Sequence, residues 1–233
     1  DLSGWRVIRS LDVGQKRDWS TGIVGGFPID EPTDGTIWQT AILGMYKIRS
    51  QVTSGVAEVP LLDIVEIMCR ELFDHFDTAE ATICDATREQ GVADWLGRRY
   101  GRSQVEGFIF GERSHLDAWH ATLYFVNDPR GYPWPKLVPG SRLFTWVAEL
   151  QDQMITEEVE MNDRGKYIFR HPGPHNDWLH SFEMLHWKAR QLQNADHGDG
   201  LMAAGSGRPP FTQDPMLRPP FLASLDQRAG RLW

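Results

Sequence analysis

Three β-like runs joined by short connections, followed by helices and strands in alternation, constrain this chain more than any other feature. Trp5–Asp12 (WRVIRSLD) is a short apolar run. Ser20–Phe27, rich in glycine and β-branched residues, follows the polar turn Val13–Asp18. Ile37–Ile48 comes after IDEPTDG, where Pro32 and Asp34-Gly35 interrupt regular structure. Such connections predict an antiparallel meander. A helix is expected from Pro60, with Leu61, Ile64, Val65, Met68, Leu72 and Phe76 at helical spacing. Ala81–Cys84 reads as a buried strand, Glu89–Tyr100 as a helix, Val105–Phe110 as a strand and Ser114–Val126 as a helix. That alternation implies a parallel portion of the sheet.

The second half adds to this core. Asn127–Gly140 holds four prolines and two glycines and reads as a loop. Leu143–Met154 is expected to be helical, and Ile155–Phe169 to form a hairpin turning at Asn162–Gly165. A last helix, Asp177–Leu192, puts Trp178, Phe182, Leu185, Ala189 and Leu192 on one face. From Asn194 the composition shifts to Gly, Pro, Ala and Asp. The expected organisation is one domain over 1–193 and a poorly structured tail over 194–233.

A formal net charge of −8 argues against a uniformly basic nucleic-acid coat and leaves room for a local basic groove. Cys69 and Cys84, both in apolar segments, read as buried thiols in a reducing compartment, without a disulfide. No apolar stretch approaches the ~20 residues that span a bilayer, and no signal peptide is expected. The chain begins at Asp1 rather than Met, as an excised domain or processed product would.

Three acids stand at the edges of apolar elements. Asp12 closes the first run, Asp85 closes ATICD, and Asp177 opens the last helix. Carboxylates that converge from such positions require a counter-charge, and a divalent metal is the usual one. Each also has a plainer reading. A strand-end Asp serves turns, and Asp177 is placed to cap its helix.

The order strand–strand–strand–helix–strand–helix–strand–helix resembles the ribonuclease H-like superfamily. That likeness implies an α/β fold: a mixed central sheet flanked by helices, here with an added hairpin and the C-terminal tail. The first strand and the strand after the first helix would be parallel neighbours, setting Asp12 beside Asp85. A late helix would bring Asp177 to the same point.

The stretches SLDVGQKRDWSTGIVGG, ICDATREQGVADWL, VEGFIF, LFTWVAELQDQM and HPGPHNDWLHSFEML resemble the C-terminal nuclease domain of the large terminase subunit of tailed viruses. They span nearly all of residues 5–192. The matching motifs are Asp12 with Asp18-Trp19-Ser20, then Asp85 with Thr87 and Gly91, then His175, Asn176 and Asp177. The resemblance implies an endonuclease that cuts concatemeric viral DNA during packaging. Asp12, Asp85 and Asp177 would bind two Mg2+ or Mn2+ ions for phosphodiester hydrolysis. It also implies partners: double-stranded DNA, an ATPase domain of the same subunit, the portal protein and the small terminase subunit. The setting would be the host cytoplasm at the procapsid portal, with no membrane. No G-x-x-x-x-G-K-[ST] loop occurs, so no ATPase activity is expected of these residues. Asn176 stands where many relatives carry a second acid, which would weaken the second metal site.

Other residues have paired readings. Asp18 is a turn residue or a support behind the ligands. His175 is a loop histidine or a group that orients Asp177. Lys16 and Arg88 are the favoured phosphate contacts, ahead of Arg17, Arg98, Arg99 and Arg102. His171, His180 and His186 read as packing or surface residues, and His115 and His120 as helical residues without ligand partners. Glu157, Glu158 and Glu160 read as a charged face on a hairpin that would lie over the cleft. Alternatives to the terminase reading are a Holliday-junction resolvase or ribonuclease of the same superfamily, and a catalytically weak DNA- and portal-docking domain.

Overall fold

The structure is a computed structural model that describes residues 2–14, 18–30, 39–49, 59–87, 90–128, 131–171 and 176–196. Lys16, Arg17, Arg88, His175 and the segment 197–233, for which the sequence sets expectations, lie outside the described residues.

Five strands form one mixed sheet: β1 (Trp5–Asp12), β2 (Trp19–Pro28), β3 (Ala41–Arg49), β4 (Ala81–Asp85) and β5 (Val105–Phe108). The order is β3-β2-β1-β4-β5. The first three strands pair antiparallel, as short connections favour. β4 joins β1 in parallel, and β5 joins β4 in parallel.

Helices cover both faces. α1 (Leu61–Glu71), a 3-10 turn (Phe73–His75) and α2 (Gln90–Tyr100) pack on Val7, Leu11, Val24 and Cys84. On the other face α3 (Glu112–Val126), α4 (Arg142–Thr156) and α5 (Asp177–Asp196) cover Ile8, Ile23, Ile83 and Phe108. Side chains alternate along a strand, so one face of β1 carries Ile8, Ser10 and Asp12, and one face of β4 carries Ile83 and Asp85. Parity therefore turns both strand-end acids toward the α5 side.

α5 is the centre of that layer. Trp178, Leu179, Phe182, Leu185 and Ala189 are fully buried, each large one worth roughly 1.5–3 kcal/mol of burial. Leu185 comes so close to β2 that a Cβ on Gly25 would lie 2.6 Å from its Cδ2. Cys69 and Cys84 are buried and free. Among the described residues no helix is long and apolar enough to cross a membrane.

Several element ends differ from expectation, each for a local reason. α1 stops at Glu71, and Leu72 (φ −132°, ψ −61°) breaks the helix so that both Leu72 and Phe73 are buried. β5 stops at Phe108 because the Phe110 N–H leaves the ladder and donates to Thr87 Oγ1 at 2.8 Å. α3 starts two residues early, where Ser114 Oγ accepts the Gly111 N–H at 2.8 Å. α5 runs on to Asp196. The hairpin, β6 (Glu158–Met161) with β7 (Tyr167–Arg170), is a separate two-stranded sheet. Its turn needs Gly165 at φ 73°, and Asn162 Oδ1 accepts the Arg164 and Lys166 N–H groups.

Candidate active site

The sheet register builds the first two corners of the site. Leu11 pairs with Cys84 in the parallel ladder, so Asp12 and Asp85 end neighbouring strands on the same face. Asp12 is 6% exposed. Asp85 is half-buried and holds its carboxylate by accepting the Thr87 N–H at Oδ1, 2.8 Å away. Because Thr87 Oγ1 in turn receives the Phe110 N–H, the chain leaving β4 is tied to the chain leaving β5.

The third corner comes from α5, anchored by buried hydroxyls. Ser181 Oγ donates to the Thr21 carbonyl at 2.9 Å and accepts the Asp12 N–H at 3.1 Å. Thr21 Oγ1 donates to the Asp177 carbonyl at 2.7 Å and lies 2.8 Å from Ser181 Oγ. Thr21 is the register partner of Asp12. These bonds fasten the first turn of α5 to the strand ends, and the Asp177 carboxylate accepts the Trp19 N–H.

The electrostatics follow from crowding acids out of water. Burial raises the Asp12 carboxyl above its usual range, against the hydrogen bond and charge of His180, and Asp85 and Asp18 push it the same way as burial. The Asp177 carboxyl is pushed up to about 7, by burial first and then by Asp12 and Asp18. Asp12, Asp85, Asp177 and Asp18 thus form one electrostatic unit with Asp12 at its centre. Asn176 directs its side chain to His180, with Nδ2 2.8 Å from Nε2.

His180 is the main correction to the sequence reading. Rather than a packing or surface residue, it faces Asp12, with Nδ1 3.4 Å from Oδ2. Burial pulls its pKa down, but the Asp12 hydrogen bond and charge, with Glu183 and Asp85, raise it to about 9. His115, read as lacking a partner, has Nε2 3.1 Å from Glu183 Oε2. Glu157, read as part of a charged face, is buried, and its Oε2 lies 3.0 Å from His171 Nδ1. Glu160 does sit on an exposed face, opposite Arg170. The hairpin docks on α3, where Phe169 stacks on His115 with ring centroids 3.7 Å apart. A signal for two of the missed residues lay in the sequence: Asp177, His180 and Glu183 recur at every third position through the first two turns of α5.

No protein-family model and no curated protein matches the chain. Among solved structures, the large terminase nuclease from thermophilic phage G20c with bound magnesium aligns at 12% identity and a TM-score of 0.53. The alignment covers 78% of this chain and 80% of that one. The large terminase nuclease domain from bacteriophage SPP1 with bound manganese aligns at 13% identity and a TM-score of 0.47, over 80% of this chain and 86% of that one. At such identity the likeness to the phage G20c protein is one of architecture, and this chain has the ribonuclease H-like fold of the large terminase nuclease.

Proposed function

We propose that the chain is the nuclease domain of a large terminase subunit, a metal-dependent endonuclease that cuts concatemeric viral DNA during genome packaging. The observation that carries the reading is the acid cluster at one sheet end. Asp12 and Asp85 come from parallel neighbouring strands, and Asp177 from a helix pinned to them by Ser181 and Thr21. The phage G20c nuclease, which shares the fold, was solved with bound magnesium, which agrees with it.

Three carboxylates gathered at one sheet end have the donor chemistry that such ions take. Asp12 and Asp177 hold their protons more tightly than an exposed carboxyl, first because they are buried and then because neighbouring acids crowd them. A divalent cation relieves that crowding, and an all-oxygen donor set suits Mg2+ or Mn2+. Asp12, Asp85 and Asp177 would hold two ions. Bound there, the ions supply activation of an attacking water and stabilisation of the leaving 3′ oxygen. Asp12 bridges the cluster, Thr87 fixes the Asp85 rotamer, and Asp18 adds negative charge behind Asp12 and Asp177. Asn176 orients His180 rather than adding a charge. Lys16 and Arg88, beside two of the acids in sequence, would meet DNA phosphates, and His175 would flank Asp177. Double-stranded DNA is the substrate. The ATPase domain of the same subunit, the portal and the small subunit are the partners, at the procapsid portal in the host cytoplasm.

Nicking of supercoiled plasmid with Mg2+ or Mn2+ tests the reading, comparing the parent with Asp85→Asn. Activity is expected in the parent alone, while both retain the same circular dichroism spectrum. Equal activity in the two would refute the site. Faster cleavage of a four-way junction or an RNA–DNA hybrid than of duplex DNA would transfer it to a resolvase or a ribonuclease. DNA binding without cleavage would leave a docking domain.

A further inference from the structure

We propose that His115, His180 and Glu183 form a second metal site, of the Zn2+ class, beside the oxygen-lined acid cluster. The three come from α3 and α5, and their ligand atoms all lie within 4.8 Å of one another. A Zn2+ ion bonds imidazole nitrogen and carboxylate oxygen at about 2.0–2.2 Å, which sets the donors of a tetrahedral site about 3.3–3.6 Å apart. From a separation of 4.8 Å, the widest gap closes with about 1.2–1.5 Å of side-chain movement.

Glu183 supplies the second observation. It is fully buried, and neither of its carboxylate oxygens accepts a hydrogen bond among the described residues. His115 Nε2 is likewise buried without one. The two atoms approach to 3.1 Å, yet out of line for a hydrogen bond. Donor atoms that close, aimed past each other, suit a shared cation better than a direct contact. A buried carboxylate without donors is costly, and a dication at this point offsets that cost for Glu183 and His115.

The surroundings hold the ligands in place. Phe169 stacks on the His115 ring, and Phe110 lies 4.5 Å from the His180 ring and 5.2 Å from that of His115. His171 and Glu157 pair at 3.0 Å, and the Glu157 carboxyl is raised by burial first and then by Glu183, so the site has a polar backing as well as aromatic walls. Two imidazoles and one carboxylate favour a Zn2+-class ion over Mg2+, whereas the neighbouring acids favour the reverse. A fourth position remains for water or an incoming donor. His180 faces Asp12 with Nδ1 and Asn176 with Nε2, so ligation exchanges one of those two contacts for the ion.

The site stands whether or not the chain cuts DNA, and its test needs no nucleic acid. The full chain, stripped by chelation, is titrated with Co2+ while its visible d–d absorption is recorded. One equivalent is expected to give the intense spectrum of a four- or five-coordinate ion, displaced by Zn2+ and retained in excess Mg2+. His115→Gln and Glu183→Gln are expected to lose that spectrum, and Asp85→Asn to keep it. His115 is only partly buried, so its variant keeps the test valid should the Glu183 variant fail to fold. A weak six-coordinate spectrum, one that survives His115→Gln, or one lost only in Asp85→Asn would overturn the proposal.

Discussion

The Asp12 carboxylate and the His180 imidazole meet across the β1–α5 junction, Nδ1 to Oδ2, at 3.4 Å. The most buried acid of the cluster therefore carries a histidine that the same acid helps to keep protonated near neutral pH. Under the proposed function an incoming dication would compete with that imidazolium for Asp12. His180→Gln removes the competitor and is expected to tighten Mg2+ binding by roughly tenfold, the equivalent of one charge-assisted contact. Isothermal titration of the metal-free protein measures this; weaker or unchanged affinity counts against the competition.

The Asp177 carboxyl makes stability fall with pH in the metal-free protein. It titrates at about 7 in the folded chain and near 4 when unfolded. Between those values the folded state holds a proton that the unfolded state has released, so raising the pH favours unfolding. Asp177→Asn removes this slope. Its stability relative to the parent should grow by ~2–4 kcal/mol from pH 4 to pH 8 in chelator. Urea denaturation at both pH values decides it, and a constant difference would show that Asp177 is an ordinary exposed acid.

His186 acts in the opposite sense. Burial among Phe125, Tyr132 and Phe182 pushes its pKa down to about 3. The unfolded chain binds a proton near 6.5 that the folded chain refuses, so stability is lost as the pH falls from 6.5 toward 3. His186→Phe keeps an aromatic ring in the cluster and is expected to gain on the parent as the pH drops from 7 to 4. Thermal melts at the two pH values give the comparison; a gain independent of pH would point to packing alone.

Ser181 links the acid-bearing elements through two hydrogen bonds, one to the Asp12 N–H and one to the Thr21 carbonyl. Ser181→Ala leaves these buried groups short of a partner and should cost about 1–3 kcal/mol. Because α5 is freed at its first turn, plasmid nicking should fall even at temperatures where the variant is fully folded. Retention of both melting temperature and nicking rate would show that the anchor is dispensable.

The sheet was legible because its signals are local. Strand runs, turns and the parity that aims Asp12 and Asp85 at α5 depend only on near neighbours in sequence. His180, Glu183 and His115 were not, since their meeting depends on how α3 packs on α5. Glu157 was missed for a related reason: a run of acids on a hairpin looks solvated until the hairpin folds onto α3 and buries one of them. The ends of α1 and β5 were set by tertiary bonds and burial at Leu72, Phe73 and Thr87, against the continuing apolar pattern.

Asp12 and Asp85 stand on adjacent hydrogen-bonded strands, whose separation is about 4.8 Å in any sheet. Asp177 is held instead by side chains, through Leu185 against Gly25 and Ser181 against Thr21. The acid cluster thus has one stiff jaw and one adjustable jaw. Substitutions beneath α5 shift a single carboxylate against a fixed pair, so drift in this core retunes the cleft long before it unravels the sheet.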